Sequence, residues 1–233
     1  MIVFEEEKNF KKGALIVIDK SKDWTSFDVV NKVRYSLRPL FGKLKVGHAG
    51  TLDPLATGLV ILCTGSWTKR IEKYMAEEKE YVASISFGAV TASYDLETPL
   101  EGDFPTQHID IKFLNEVLKQ FTGIIKQTPP IFSAVKIDGK RAYKSARQGE
   151  NVDIPEREVN IKELEVLNFS KNILELRIVC SKGTYIRSLA NDIGLACKSG
   201  AYLSGLRRTR IGNCKVSDAL TIDQFLEYIK TSF

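Results

Sequence analysis

The stretch from Val46 to Lys69, VGHAGTLDPLATGLVILCTGSWTK, constrains the fold more than any other part of the chain. Gly47, Gly50, Gly58 and Pro54 let the backbone turn tightly. The apolar run Leu59-Val60-Ile61-Leu62 follows at once and anchors that turn in a core. A polar loop pinned to a buried element is how a protein holds a reactive side chain still. The loop carries His48, Thr51 and Asp53, and Asp53 is the only acid of the stretch. An isolated Asp-Pro merely starts a turn, because the carboxylate caps nearby main-chain N–H groups. In this setting Asp53 is the first candidate for chemistry.

Composition narrows the class. With 233 residues and 43% apolar content, the chain suits one large domain or two small ones with an ample core. No apolar run approaches the length of a membrane span. The opening MIVFEEEKNFKKG lacks the apolar core of a signal peptide, so a cytoplasmic protein is expected. Cys63, Cys180, Cys197 and Cys214 are far apart and read as buried free thiols. Two histidines and no cysteine cluster argue against a structural zinc site, and no metal is expected. The net charge of +5 is modest, but its distribution is uneven. Gly200 to Lys215 carries Arg207, Arg208, Arg210 and Lys215 with no acid, and a second group holds Lys136, Lys140, Arg141, Lys144 and Arg147. Clusters of this kind suit a phosphate backbone, although a solvated basic face has the same composition.

Periodicity predicts an α+β domain. Residues 14–18 read as a buried strand. Thr25 and Asp28 form a capping-box pattern ahead of Val29, Val30, Val33 and Leu37 at helical spacing, and Pro39 is expected to end that helix. A short helix is expected over Ser66–Met75 and a strand over Tyr81–Phe87. Asp110 should cap a helix that stops at Gly123. Asp138-Gly139 is a hairpin signal. Strands near 156–169 and 173–180 should turn at Ser170-Lys171-Asn172. A helix is expected to open at Thr184, and a last one at Thr221 with Gln224.

GHAGTLDPLATG resembles, residue by residue, the signature of the TruB family of RNA pseudouridine synthases. Other segments carry the same resemblance, from about Leu15 to Gly212. DKSKDWTSFDVV is similar to the family's Lys-Pro-x-Gly-x-Thr-Ser opening, with Ser21 for the Pro and Asp23 for the Gly. The Gly-x-x-Thr-Lys element ends at Lys69. TASYDLET, QTPPIFSAVKIDGKRAYKSARQG, KGTYIR and GAYLSGLRRTRIG complete the match.

The resemblance implies a pseudouridine synthase fold: a mixed, mainly antiparallel central sheet, flanking helices and a thumb-like RNA-binding insertion at about 124–152. It implies a single catalytic domain over 1–233, without the C-terminal RNA-binding (PUA) domain of many members. It makes Asp53 the catalytic residue, Tyr81 the active-site tyrosine and Arg187 the cation set against Asp53. RNA contacts fall to His48, Lys69, Lys136, Lys140, Arg141, Lys144, Arg147, Tyr185, Arg207 and Arg208, with Leu206 at the pocket edge. The implied reaction needs no cofactor and no metal, so the acidic stretch Thr91–Asp103 is expected to be a solvated loop. The implied partner is the T stem-loop of tRNA, modified at the uridine numbered 55, by a monomer with no guide RNA. A non-catalytic tRNA-binding protein or folding chaperone on the same scaffold is the alternative. Whether Asp53 acts as nucleophile or as base stays open.

Overall fold

The structure, a computed structural model, describes residues 1–4, 9–133, 136–137, 140–141 and 154–233. The chain forms two compact units, one from Met1–Tyr81 with Leu206–Phe233 and the other from Val82–Gly205.

The first unit starts with β1 (Ile2–Phe4) and β2 (Gly13–Lys20), continues through α1 (Ser26–Phe41), β3 (Val46–His48), β4 (Thr57–Gly65) and α2 (Ile71–Ala76), and enters β5 (Lys79–Phe87). β2 lies antiparallel between β1 and β4, with Leu15 opposite Cys63 and Val17 opposite Ile61. Alternate residues of a strand face opposite sides, and here both sides are buried. Leu15, Val17, Leu59, Ile61 and Cys63 join Ala49, Trp67, Ile211 and Cys214 in one cluster. Ile16, Ile18, Val60 and Leu62 are buried as well.

α1 buries Val29, Val30, Val33 and Leu37 beneath the expected capping box, in which Thr25 and Asp28 bond reciprocally. Pro39 does not end this helix. It runs on to Phe41, where the Gly42 N–H bonds the Arg38 carbonyl at 2.8 Å. The proline removes one bond, to the carbonyl of Tyr35, on an exposed face of the helix.

The second unit holds the rest of β5, then α3 (Ile111–Leu118), β6 (Gly123–Gln127), β7 (Lys136–Ile137), β8 (Lys140–Arg141), β9 (Arg157–Ser170), β10 (Ile173–Cys180), α4 (Ile186–Ala196) and the start of β11 (Ala201–Ile211). Its strand order is β11-β5-β10-β9-β6. The β9–β10 hairpin turns where expected: Lys171 and Asn172 take φ of 50° and 60°, as a two-residue primed turn requires. Asp110 caps α3, accepting from the Phe113 N–H at 2.8 Å. Gly123 does not stop that helix. A 3-10 turn over Lys119–Phe121 intervenes, and Gly123, at φ 93°, opens β6. Residues at the start of the expected insertion are therefore sheet, because β6 pairs with β9 from Gly123↔Ile161 to Gln127↔Arg157. Thr184 does not cap α4. Tyr185 stands at that position, and the Thr184 hydroxyl donates to the Ser181 carbonyl instead.

The acidic loop also differs from expectation. Glu97, Glu101 and Asp103 are not buried, but Thr91, Ser93 and Asp95 are.

The chain re-enters the first unit along β11, whose Arg207 and Arg208 pair in parallel with Thr57 and Gly58 of β4. β12 (Cys214–Lys215) and α5 (Ile222–Ser232), with its Thr221–Gln224 capping box, complete it. All four cysteines are free and buried. No helix among the described residues is long and apolar enough to cross a membrane.

Candidate active site

Asp53 sits half-buried between β3 and β4. Its loop is tied down residue by residue. Leu52, just before it, donates its N–H to Ser26 Oγ at 2.8 Å, and that hydroxyl donates back to the Leu52 carbonyl at 3.1 Å. The Ala56 N–H closes a turn on the Asp53 carbonyl at 3.1 Å. The Asp23 N–H reaches the Pro54 carbonyl at 2.8 Å. Asp23 has φ 66°, a left-handed conformation open to Asp at modest strain, at the position where the family string has Gly. The turn is kept although the residue differs.

Two buried cations bind the rest of the loop. Lys20 is 1% exposed. Its Nζ donates to the carbonyls of Ala56 (2.5 Å) and Pro54 (3.2 Å) in the loop, and of Trp24 (2.7 Å) and Ser21 (3.0 Å) before α1. Burial pushes the Lys20 ammonium down to about 8, while the charge of Asp53 pulls the other way. Arg208 is also 1% exposed. Its guanidinium donates to the carbonyls of Leu59 (2.7 Å), Thr51 (3.2 Å) and Gly50 (3.2 Å). Gly58 makes this approach possible: at φ 105°, a Cβ there would lie 2.3 Å from the Arg208 carbonyl oxygen. Hydrogen bonds to charged groups contribute roughly 1.5–3 kcal/mol each, so together these fix the loop firmly.

The sequence points Arg208 at RNA; its charge instead faces the loop's carbonyl oxygens, so it positions the loop. The other arginines of β11 are matched by acids. Arg207 grips Asp19 through two bonds of 2.7 and 3.0 Å. Arg210 pairs with Glu78 at 2.9 Å and Glu80 at 3.7 Å. These acids lie far from β11 in the sequence, so a count along the chain cannot see them.

His48 lies in β3 opposite Leu62. Burial holds its imidazole below the ordinary value, a main-chain bond to Gly50 opposes this, and the Arg208 charge adds to the lowering. It is therefore neutral at pH 7. Lys69 is exposed on the 3-10 turn after β4. Tyr81 is 8% exposed in β5, on the same side of the strand as Lys79 and Ala83. Leu206 is half-buried in β11.

In the second unit Arg187 occupies the first turn of α4 and is 5% exposed. Its Nε stands 3.6 Å from Asp95 Oδ2, and its Nη1 donates to the carbonyls of Phe132 (3.1 Å) and Ser93 (3.4 Å). Asp95 is held in turn by the Ser93 hydroxyl at 2.6 Å and the Glu97 N–H at 3.0 Å. This explains its burial in a loop expected to be solvated: its charge is matched by Arg187 and by two donors. Tyr185 precedes Arg187. The Gln127 side chain brackets it, accepting from its N–H at 2.8 Å and donating to its carbonyl at 3.0 Å. The Arg157 guanidinium lies over its ring at 5.5 Å. Lys136 and Arg141 are paired positions of the antiparallel strands β7 and β8, as are Ile137 and Lys140; Asp138-Gly139, the expected turn, lie outside the described residues. Lys144 and Arg147 lie outside the described residues.

Sequence reasoning missed Lys20 and Asp95 as site residues, although both stand in strings that carried the resemblance, DKSKDW and TASYDLET.

A mixed, mainly antiparallel sheet that carries a carboxylate on such a loop defines the class. Solved structures share the fold. A chain in the crystal structure of a Cbf5-Nop10-Gar1 complex superposes with a TM-score of 0.72 at 30% identity, over 96% of this chain and 57% of that one. A chain in an H/ACA RNP bound to a substrate RNA containing 2'-deoxyuridine gives 0.69 at 26% identity, over 96% of this chain and 56% of that one. The chain thus spans a little over half the length of those solved chains. Residues 38–186 match the TruB family pseudouridylate synthase (N terminal domain), and residues 187–232 match the tRNA pseudouridylate synthase B C-terminal domain. The tRNA pseudouridine synthase B of Phocaeicola vulgatus is 51% identical over 223 residues, 95% of each chain. That of Flavobacterium johnsoniae is 48% identical over 96% of this chain and 99% of its own. The chain belongs to the TruB family of pseudouridylate synthases. It is an isomerase that forms pseudouridine in tRNA.

Proposed function

We propose that the enzyme isomerises the uridine at position 55, in the T loop of tRNA, with Asp53 as the catalytic carboxylate. It works as a cytoplasmic monomer, without cofactor or guide RNA. The observation that carries this reading is the Asp53 loop, whose carbonyl oxygens are taken up by Lys20 and Arg208. A loop so constrained presents its one carboxylate in a fixed position beside two buried positive charges.

The reaction breaks the bond from uracil N1 to sugar C1′, turns the detached base, and joins C5 to C1′. C5 loses a proton to solvent and N1 gains one, so atoms balance without a co-reactant. The base must first leave its stack, at a cost of about a few kcal/mol. Contacts to phosphate from Lys69 and from the basic residues of the β7–β8 region offset that cost. Tyr81 receives the flipped base by stacking. Arg187, carried over from the family motif, supplies the cation that favours an ionised carboxylate. Asp53 then acts on the sugar, either as nucleophile at C1′ or as base on a sugar proton.

The test is tritium release from tRNA labelled at uridine C5, with the purified protein alone. Release is expected, and it should vanish when the T-loop uridine is replaced by cytidine. Asp53→Asn should bind tRNA normally and lose about 10²–10⁴-fold in turnover, or more. Tight binding with no release by the unmodified protein would favour a non-catalytic tRNA binder.

A further inference from the structure

The outer face of α1 is basic and aromatic in a way the site does not use. Phe27 and Tyr35 are 59% and 62% exposed, unusual for such large apolar rings. With Arg38 they fall on one side of the helix, opposite the buried Val29, Val30, Val33 and Leu37. Lys32 flanks this side, and Lys43 and Lys45 extend it past the end of the helix; all four cations are exposed. They differ from the arginines of β11. Arg207 and Arg210 are matched by acids, whereas Lys32, Arg38, Lys43 and Lys45 form no ion pair with a described residue. The nearest acid on the helix, Asp28, is engaged in the capping box by the Thr25 N–H (2.9 Å) and hydroxyl (2.6 Å).

The position of this face matters as much as its chemistry. Ser26, the first residue of α1, is the residue that holds Leu52 next to Asp53. The face therefore starts beside the reactive loop and runs away from it for about 16 Å between Phe27 and Arg38. An RNA bound at Asp53 continues past the modified nucleotide. Unmatched cations suit its phosphates, and exposed rings suit unpaired bases.

We infer that the outer face of α1 is a second RNA-contact surface, which binds tRNA outside the T stem-loop. The inference rests on the proposed tRNA site and extends it. The experiment compares full-length unmodified tRNA with an isolated T stem-loop across a salt series. The proteins are the wild type, the triple variant Lys32→Glu/Arg38→Glu/Lys43→Glu, its Gln counterpart, and Tyr35→Ala. For the triple variant, affinity for full-length tRNA should fall at least about tenfold, and the salt slope should become shallower by about 2–3. The Gln counterpart should show a smaller loss of the same kind, and Tyr35→Ala should weaken affinity without changing the slope. Binding to the stem-loop, and tritium release from it, should stay at wild-type level, which also reports an intact fold. Unchanged binding to full-length tRNA would overturn the inference, and so would an equal loss on the stem-loop. Failure of the proposed reaction would look different, as absent release with the wild type.

Discussion

The buried cations of the two units are satisfied in opposite ways. In the first unit Lys20 and Arg208 meet main-chain carbonyls, and neither forms an ion pair with a carboxylate among the described residues. Carbonyl dipoles fix the direction of a cation without cancelling its charge, so a positive field remains for Asp53. In the second unit Arg187 meets a carboxylate, Asp95, which is itself held by Ser93 and Glu97. That pairing, together with the carbonyls of Phe132 and Ser93, fixes Arg187 in place. The first pattern suits the support of a reactive acid. The second suits the orientation of a side chain that has to be held still.

The comparison breaks most visibly in the second unit. Arg187→Met leaves Asp95 buried without its cation, and should cost about 3–5 kcal/mol of stability in urea unfolding. The double variant Arg187→Met/Asp95→Asn should be less destabilised than the sum of its single changes. Strict additivity would mean that the two residues are not a pair. Lys20→Met should behave differently, because it strips donors from four carbonyls while also removing a buried charge. Its fold should survive, and its main effect should be on turnover, with kcat down about 100-fold from a misplaced Asp53 loop. A change confined to KM would argue against a role in holding the acid. Arg208→Lys keeps the charge but cannot reproduce a fork that spans three carbonyls, so a loss of about tenfold in kcat is expected. Full activity in that variant would show that charge alone suffices.

How much of this was legible in the sequence follows from the range of each interaction. The Thr25–Asp28 and Thr221–Gln224 caps and the Lys171-Asn172 turn are made by neighbours, and local residue types specify them. The Asp53 loop was legible as a string, because its glycines and its apolar strand are contiguous. Charge was not. Arg207 and Arg210 read as a basic patch, yet register brings Asp19, Glu78 and Glu80 beside them. Asp95 read as a solvated acid for the same reason, since its partner lies in α4, far along the chain. Lys20 drew no assignment, because nothing nearby in the sequence announces four carbonyl partners.

The finest test of the contrast is pH. In the folded protein the Lys20 amine releases its proton at about 8, against 10.5 for an unburied lysine. Between those values the unfolded chain binds the proton and the folded one does not, so raising the pH costs the folded state less than the lysine's burial does at neutral pH, and favours folding. Measured against Lys20→Met, which lacks this titration, the wild type should gain about 1 kcal/mol of stability between pH 7.5 and 9. Activity should move the other way over the same range. The amine that becomes neutral is the one whose charge faces Asp53. Stability rising while kcat falls is a signature that a merely structural lysine would not give. If the two proteins' unfolding curves shift in parallel with pH, Lys20 is not the buried cation that sets the field around the loop.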